Sequence, residues 1–183
     1  PVNETVHSSD PDPRYFLDVD GNGVDDFFIH AWAEGYSEDS GVYVERVVGT
    51  SNQIFADEWY LGAYNLSSST VLPVSGMETA TLGYLSWTYS SGGSIVNTGN
   101  WAPDGTPGYV GLMFDIGGNM HYGWAQMRAW TTSGDPGEIW PSSFTLVDWA
   151  WESTPGASIH VGEPAGGEIP EPSTLSLFAL GAA

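Results

Sequence analysis

The chain has 183 residues, enough for one domain with a real hydrophobic core, and an apolar share of 41% that argues against wholesale disorder. Three Lys and Arg against 23 Asp and Glu give a formal charge of −20. Nucleic-acid binding and attraction to anionic membranes both need a basic footprint, so this balance argues against nucleic-acid binding and disfavours anionic membrane surfaces.

Residues 1–14 are polar, with Pro11 and Pro13 alternating with Asp10 and Asp12, and read as an extended arm ahead of the domain. From Tyr15 onward, short β-runs are separated by Gly, Ser, Asn and Pro clusters. Phe27 to Ala33, Val42 to Val48, Ile54 to Tyr60 and Thr81 to Tyr89 carry β-branched and aromatic residues at strand length. Tyr109 to Ile116, Met120 to Trp130, Phe144 to Trp151 and Ser158 to Val161 continue the series. None reads as a capped amphipathic helix. So many short strands, punctuated by 24 Gly and 12 Pro, predict an all-β, β-sandwich or jelly-roll-like domain over residues 15–162.

The clearest hairpin spans Tyr109–Trp130. Val110, Leu112, Phe114 and Ile116 alternate with Gly111, Met113 and Asp115, and Gly117-Gly118-Asn119 tolerates the positive φ of a tight connection. The return run sets Tyr122, Trp124, Gln126, Arg128 and Trp130 on one face and Gly123, Ala125, Met127 and Ala129 on the other. That pattern predicts two central strands.

Asp18-Val-Asp20-Gly-Asn22-Gly23-Val24-Asp25-Asp26 has the spacing D-x-D-x-N-G-x-x-D. A hard cation such as Ca²⁺ takes about six to eight oxygens, which alternate side chains of a tight loop can supply. Asp18, Asp20 and Asn22 would offer side-chain oxygens, Val24 its carbonyl, and Asp26 a carboxylate directly or through water. The twelfth position of a helix–loop–helix calcium site falls on Ile29, which cannot ligate, so the loop resembles the D-x-D-x-D-G loops of extracellular β-proteins instead. A solvated acidic turn uses the same residue types. Four carboxylates within nine residues of so acidic a chain repel one another without a cation, and calcium is the expected cofactor, with a structural role.

Catalytic patterns are missing from the sequence. His7, His30, His121 and His160 are scattered, without H-x-H or H-E-x-x-H spacing, and His30 sits inside a strand run. There is no G-x-S-x-G elbow and no phosphate-cradling glycine loop. Asp57, Glu58, Asp148 and Glu152 could pair as glycosidase carboxylates, but among 23 acidic residues such proximity carries little weight. The expectation is a protein that is not an enzyme. Asn3-Glu-Thr5 and Asn65-Leu-Ser67 are sequons, so Asn3 and Asn65 can carry glycans.

After Val161 the composition changes to a Gly, Pro and Glu linker and then an apolar tail, residues 163–183. Pro170-Glu171-Pro172-Ser173-Thr174, followed by Leu175, Leu177, Phe178, Ala179 and Leu180, resembles the PEP-CTERM sorting signal of exported bacterial proteins. In that family the Pro-Glu-Pro motif precedes a membrane-spanning stretch and a basic end. Leu175 to Ala183 as a helix would cover only about 13–14 Å of a hydrocarbon core about 30 Å thick, so no stable span is expected from these residues. Weaker resemblance runs through Leu17-Asp-Val-Asp-Gly, Tyr109 to Phe114, His121 to Ala125 and Leu146 to Ala150. A first residue that is proline rather than methionine fits a chain whose leader has been removed. The resemblance implies an extracellular or cell-surface protein.

Two functions follow as expectations. The first is a calcium-stabilised structural protein of the bacterial surface, matrix or biofilm, assembling head-to-tail with its own copies into a homopolymer. There the apolar residues Leu175, Leu177, Phe178 and Leu180 would pair with a neighbour and the 1–14 arm would help at the joint. The alternative is a carbohydrate-binding module, suggested by 9 Trp and 9 Tyr on a sandwich, although strand aromatics are also ordinary core.

Overall fold

The computed structural model describes residues 3–34, 39–57, 61–91, 94–131 and 142–163. Thirteen strands and no helix occur among them. In chain order they are β1 (Glu4–His7), β2 (Arg14–Leu17), β3 (Phe27–Glu34), β4 (Asp39–Arg46), β5 (Gln53–Phe55), β6 (Val71–Leu72) and β7 (Thr79–Ala80). Then come β8 (Leu82–Ser91), β9 (Ser94–Thr98), β10 (Gly108–Ile116), β11 (Asn119–Thr131), β12 (Ser142–Trp151) and β13 (Ile159–His160). One sheet has six strands in the order β1-β12-β11-β10-β5-β7, the other five in the order β2-β3-β4-β8-β9. All their strand pairs are antiparallel. The fold is all-β and sandwich-like.

The core lies between the sheets, where alternate residues of facing strands meet. Phe27, Ile29, Ala31, Val42, Val44 and Leu85 come from the five-stranded sheet. Val110, Leu112, Phe114, Met127, Ala129, Phe144 and Leu146 answer them from the six-stranded one. The predicted hairpin is the centre of that sheet: Ile116 pairs with Asn119 across a two-residue Gly117-Gly118 turn, and both glycines have positive φ, 63° and 87°.

Part of the 1–14 segment belongs to the sheets. Glu4–His7 forms the outer strand of the six-stranded sheet, in register with Ser143–Leu146 of β12. Val6 is buried, and the Thr5 and Thr145 hydroxyls share a 2.7 Å hydrogen bond. A single buried apolar residue in a polar tetrapeptide gives too weak an alternation to mark a strand. The open ladder of β12 supplies what the sequence of β1 lacks. Arg14 likewise begins β2, paired with His30. The short strands β6, β7 and β9 carry no clear strand pattern in the sequence either.

A second apolar cluster covers the outer face of the six-stranded sheet. Leu66 and Leu72 from the 61–80 segment and Ile159 and Val161 from the 153–163 segment pack there over Phe55, Trp124 and Ala150. The two-stranded β6–β13 ribbon ties these covering segments together, and the Trp124 indole N–H donates to the Glu163 carbonyl at 3.1 Å.

Candidate functional site

The acidic loop sits between β2 and β3 and is folded by its own side chains. The Asp18 carboxylate accepts the N–H groups of Gly21 at 2.8 Å, Asn22 at 3.1 Å and Gly23 at 2.7 Å. Asp20 accepts the Asn22 backbone N–H at 3.0 Å and its side-chain amide at 2.9 Å, while Asn22 Oδ1 accepts the Val24 N–H at 2.7 Å. These are Asx-type turns, the local reason why Asp, Asn and Gly alternate here. Gly21 and Gly23, at φ of 75° and 87°, take the left-handed conformations the coil needs.

Asp26 differs from its neighbours because it is buried, with 7% of its surface exposed. Its carboxylate accepts the Val19 N–H at 2.9 Å and the Asn52 amide at 3.1 Å. Burial pushes its pKa above the ordinary carboxylate value, the Val19 and Asn52 hydrogen bonds draw it back, and the charges of Asp20 and Asp18 push it up again. Carboxylate oxygens of Asp18, Asp20 and Asp26 all lie within 4.8 Å of one another. Oxygens that close suit a divalent cation about 2.3–2.6 Å from each. Asn22 and Val24 belong to the same coil but are engaged within it: the Asn22 side chain bonds to Asp20 and Val24, and the Val24 side chain is exposed.

Asn52 is the site residue that the loop motif does not include. It is buried and joins three elements: its amide donates to both the carboxylate and the backbone carbonyl of Asp26, and its Oδ1 accepts the Asp115 N–H from β10. A groove of about 310 Å³ runs beside it, bordered by Asn22, Asp26, Thr50 and Asp115. Its only sequence signal is a polar residue next to the β5 run.

The remaining expected residues are dispersed. Asp57 follows β5, whereas Asp148 lies in β12 opposite Gln126, and the Glu152 carboxylate accepts the Thr154 N–H, which with other local bonds holds its pKa low. Asp57 and Asp148 thus go with two strands of the same six-stranded sheet that β10 and β11 separate, and Glu58 lies outside the described residues. His30 is half-buried in β3 with Nδ1 2.7 Å from the Tyr43 hydroxyl. Asn3 and Asn65 are both exposed. The Pro170, Glu171 and Pro172 motif and the tail residues Leu175, Leu177, Phe178 and Leu180 lie outside the described residues. No helix among the described residues is long and apolar enough to cross a membrane. Comparison of the chain with protein-family models, curated proteins and solved structures returns no match.

Proposed function

We propose that this protein is an exported, non-catalytic β-sandwich of the bacterial cell surface or extracellular matrix, stabilised by calcium in the Asp18–Asp26 loop. The observation that carries the reading is the convergence of Asp18, Asp20 and Asp26 within 4.8 Å, one of them buried. Three carboxylates so close repel one another, and a divalent cation converts that repulsion into a cross-link between β2 and β3. The Pro170-Glu171-Pro172 motif supports export, and the formal charge of −20 suits a calcium-bearing milieu.

Calorimetric titration of the apo protein with CaCl₂ tests it. Calcium at about 100 times its Kd should stabilise the fold by about 2.7 kcal/mol, and chelator should reverse the gain. Asp20→Ala should abolish both effects. Absence of binding heat together with an unchanged melting temperature would refute the calcium reading.

Head-to-tail assembly is the second part of the proposal. Its support is that, among the described residues, β1 and β7 end one sheet and β2 and β9 the other, which gives strand edges for an added strand. Because Glu4–His7 is already paired with β12, the N-terminal segment would offer its outer edge rather than a free arm. Deleting residues 173–183 should leave a folded monomer by sedimentation; polymers that survive the deletion would overturn this part.

A further inference from the structure

The outer face of the five-stranded sheet carries a run of rings. Phe16 on β2 lies 5.9 Å from Phe28 on β3, Phe28 lies 6.1 Å from Tyr43 on β4, and Tyr43 lies 5.7 Å from Tyr84 on β8. Tyr84 stacks on Trp87 at 5.6 Å and 27°, and Trp87 meets Tyr89 at 5.0 Å. Strict alternation would put Tyr84 and Trp87 on opposite faces. A β-bulge prevents it: Val42 pairs with Ser86 but Tyr43 pairs with Tyr84, so Leu85 is the extra residue. Leu85 and Ser86 both turn into the core, fully buried, and Tyr84 and Trp87 both turn outward. The bulge is secured from outside the ladder, since the Leu85 carbonyl accepts the Trp101 N–H at 3.2 Å.

Beside this stack lies a groove of about 470 Å³, lined by Tyr84, Trp87 and Tyr89 and by the polar residues Asp57, Thr98 and Asn100. Its wall is fixed in place. The Tyr84 N–H donates to the Leu61 carbonyl and the Tyr84 carbonyl accepts the Ala63 N–H, while the Asn100 amide donates to the Gly62 and Ala63 carbonyls at 3.3 and 3.2 Å. Burial, with the Glu45 charge, holds the Tyr84 phenol above its ordinary pKa, so its hydroxyl stays a donor.

From this groove we infer that the five-stranded sheet binds a neutral polysaccharide. A pyranose ring presents a C–H face that fits an aromatic ring and an equator of hydroxyls that needs acceptors and donors beside it. Half-buried rings flanked by a carboxylate, a hydroxyl and an amide supply both. A polyanionic glycan would meet a chain with a formal charge of −20. The groove shares no residue with the acidic loop and does not depend on the calcium reading.

Native affinity electrophoresis of the full chain, in gels containing hydroxyethylcellulose, laminarin or galactomannan and with alginate as the polyanion, tests the inference. At least one neutral polymer should retard the protein while alginate does not. Trp87→Ala should weaken the retardation at least about tenfold. Tyr89→Ala at the groove's margin gives a second reading if Trp87→Ala fails to fold. Retardation should persist in chelator, so loss of the calcium effect and loss of glycan binding are separate results. No retardation by any neutral polymer, retardation by alginate alone, or retardation indifferent to both substitutions would overturn the inference. So would a change of oligomeric state in Tyr89→Ala with glycan retardation intact, because the face would then be a protein contact.

Discussion

Over the six-stranded sheet, Leu72, Ile159 and Val161 lie sealed between the strands and segments of the same chain. Over the five-stranded sheet, Tyr43, Tyr84, Trp87 and Tyr89 stand half-buried, and no strand among the described residues lies on top of them. Both faces are rich in aromatic side chains, so composition does not distinguish them. The difference is what the chain does next. The 64–77 and 153–163 segments return to the first face with residues such as Leu66, Leu72, Ile159 and Val161 and close a second core. Aromatics under such a lid contribute stability, whereas aromatics beside a groove with polar neighbours are free to meet a ligand.

The largest expected effect is on the lidded face. Leu72 is fully buried, and Leu72→Ala should cost about 2–5 kcal/mol, read as a lowered denaturant midpoint at constant m. A cost near zero would mean that the lid is only loosely attached and would erase the contrast.

Gly41→Ala comes next. Gly41 sits on β4 between Trp32 and Trp87, and a Cβ there would lie 2.7 Å from Trp32 Nε1 and 3.0 Å from the Ser86 carbonyl. Displacing the indole or the strand should cost about 1–3 kcal/mol by the same denaturation assay. Wild-type stability in this variant would show that the open face is soft rather than built.

Tyr89→Ala should cost less, about 0.5–1.5 kcal/mol, because it removes a half-buried ring and one ring contact. A loss as large as that of Leu72→Ala would show that the open face is core after all.

The smallest effect is a pH dependence. Burial pushes His30 below its ordinary pKa of 6.5, the Arg14 charge from β2 pushes the same way, and Asp12 opposes. The other facing group is the Tyr43 hydroxyl on β4. The unfolded chain therefore takes up the proton first as pH falls below 6.5, so stability should decline from there down to the depressed folded value and then level off. Titration of surface carboxylates overlaps the lower end of this window. The difference between wild type and His30→Gln isolates the histidine, and parallel pH curves for the two proteins would contradict a buried His30.

Several features are legible in the amino-acid sequence because they are local. The β10–β11 hairpin follows from the alternation of Val110, Leu112 and Phe114 and from Gly117-Gly118, which fix face and turn without reference to distant residues. The 18–26 coil is equally local, since Asp18 and Asp20 bond to backbone groups only two to five residues away. Other features depend on partners that the local sequence cannot name. Glu4–His7 is a strand because β12 offers an open ladder 140 residues away, at Thr5 and Thr145. Asp26 is held by a hydrogen bond from Asn52, which is in turn positioned by the Asp115 N–H on β10. The aromatic stack exists because Leu85 is accommodated as a bulge against β4, with its carbonyl satisfied by Trp101. Alternation along β8 places Tyr84 and Trp87 on opposite faces; only long-range pairing, which exacts one extra residue on one strand, sets them side by side.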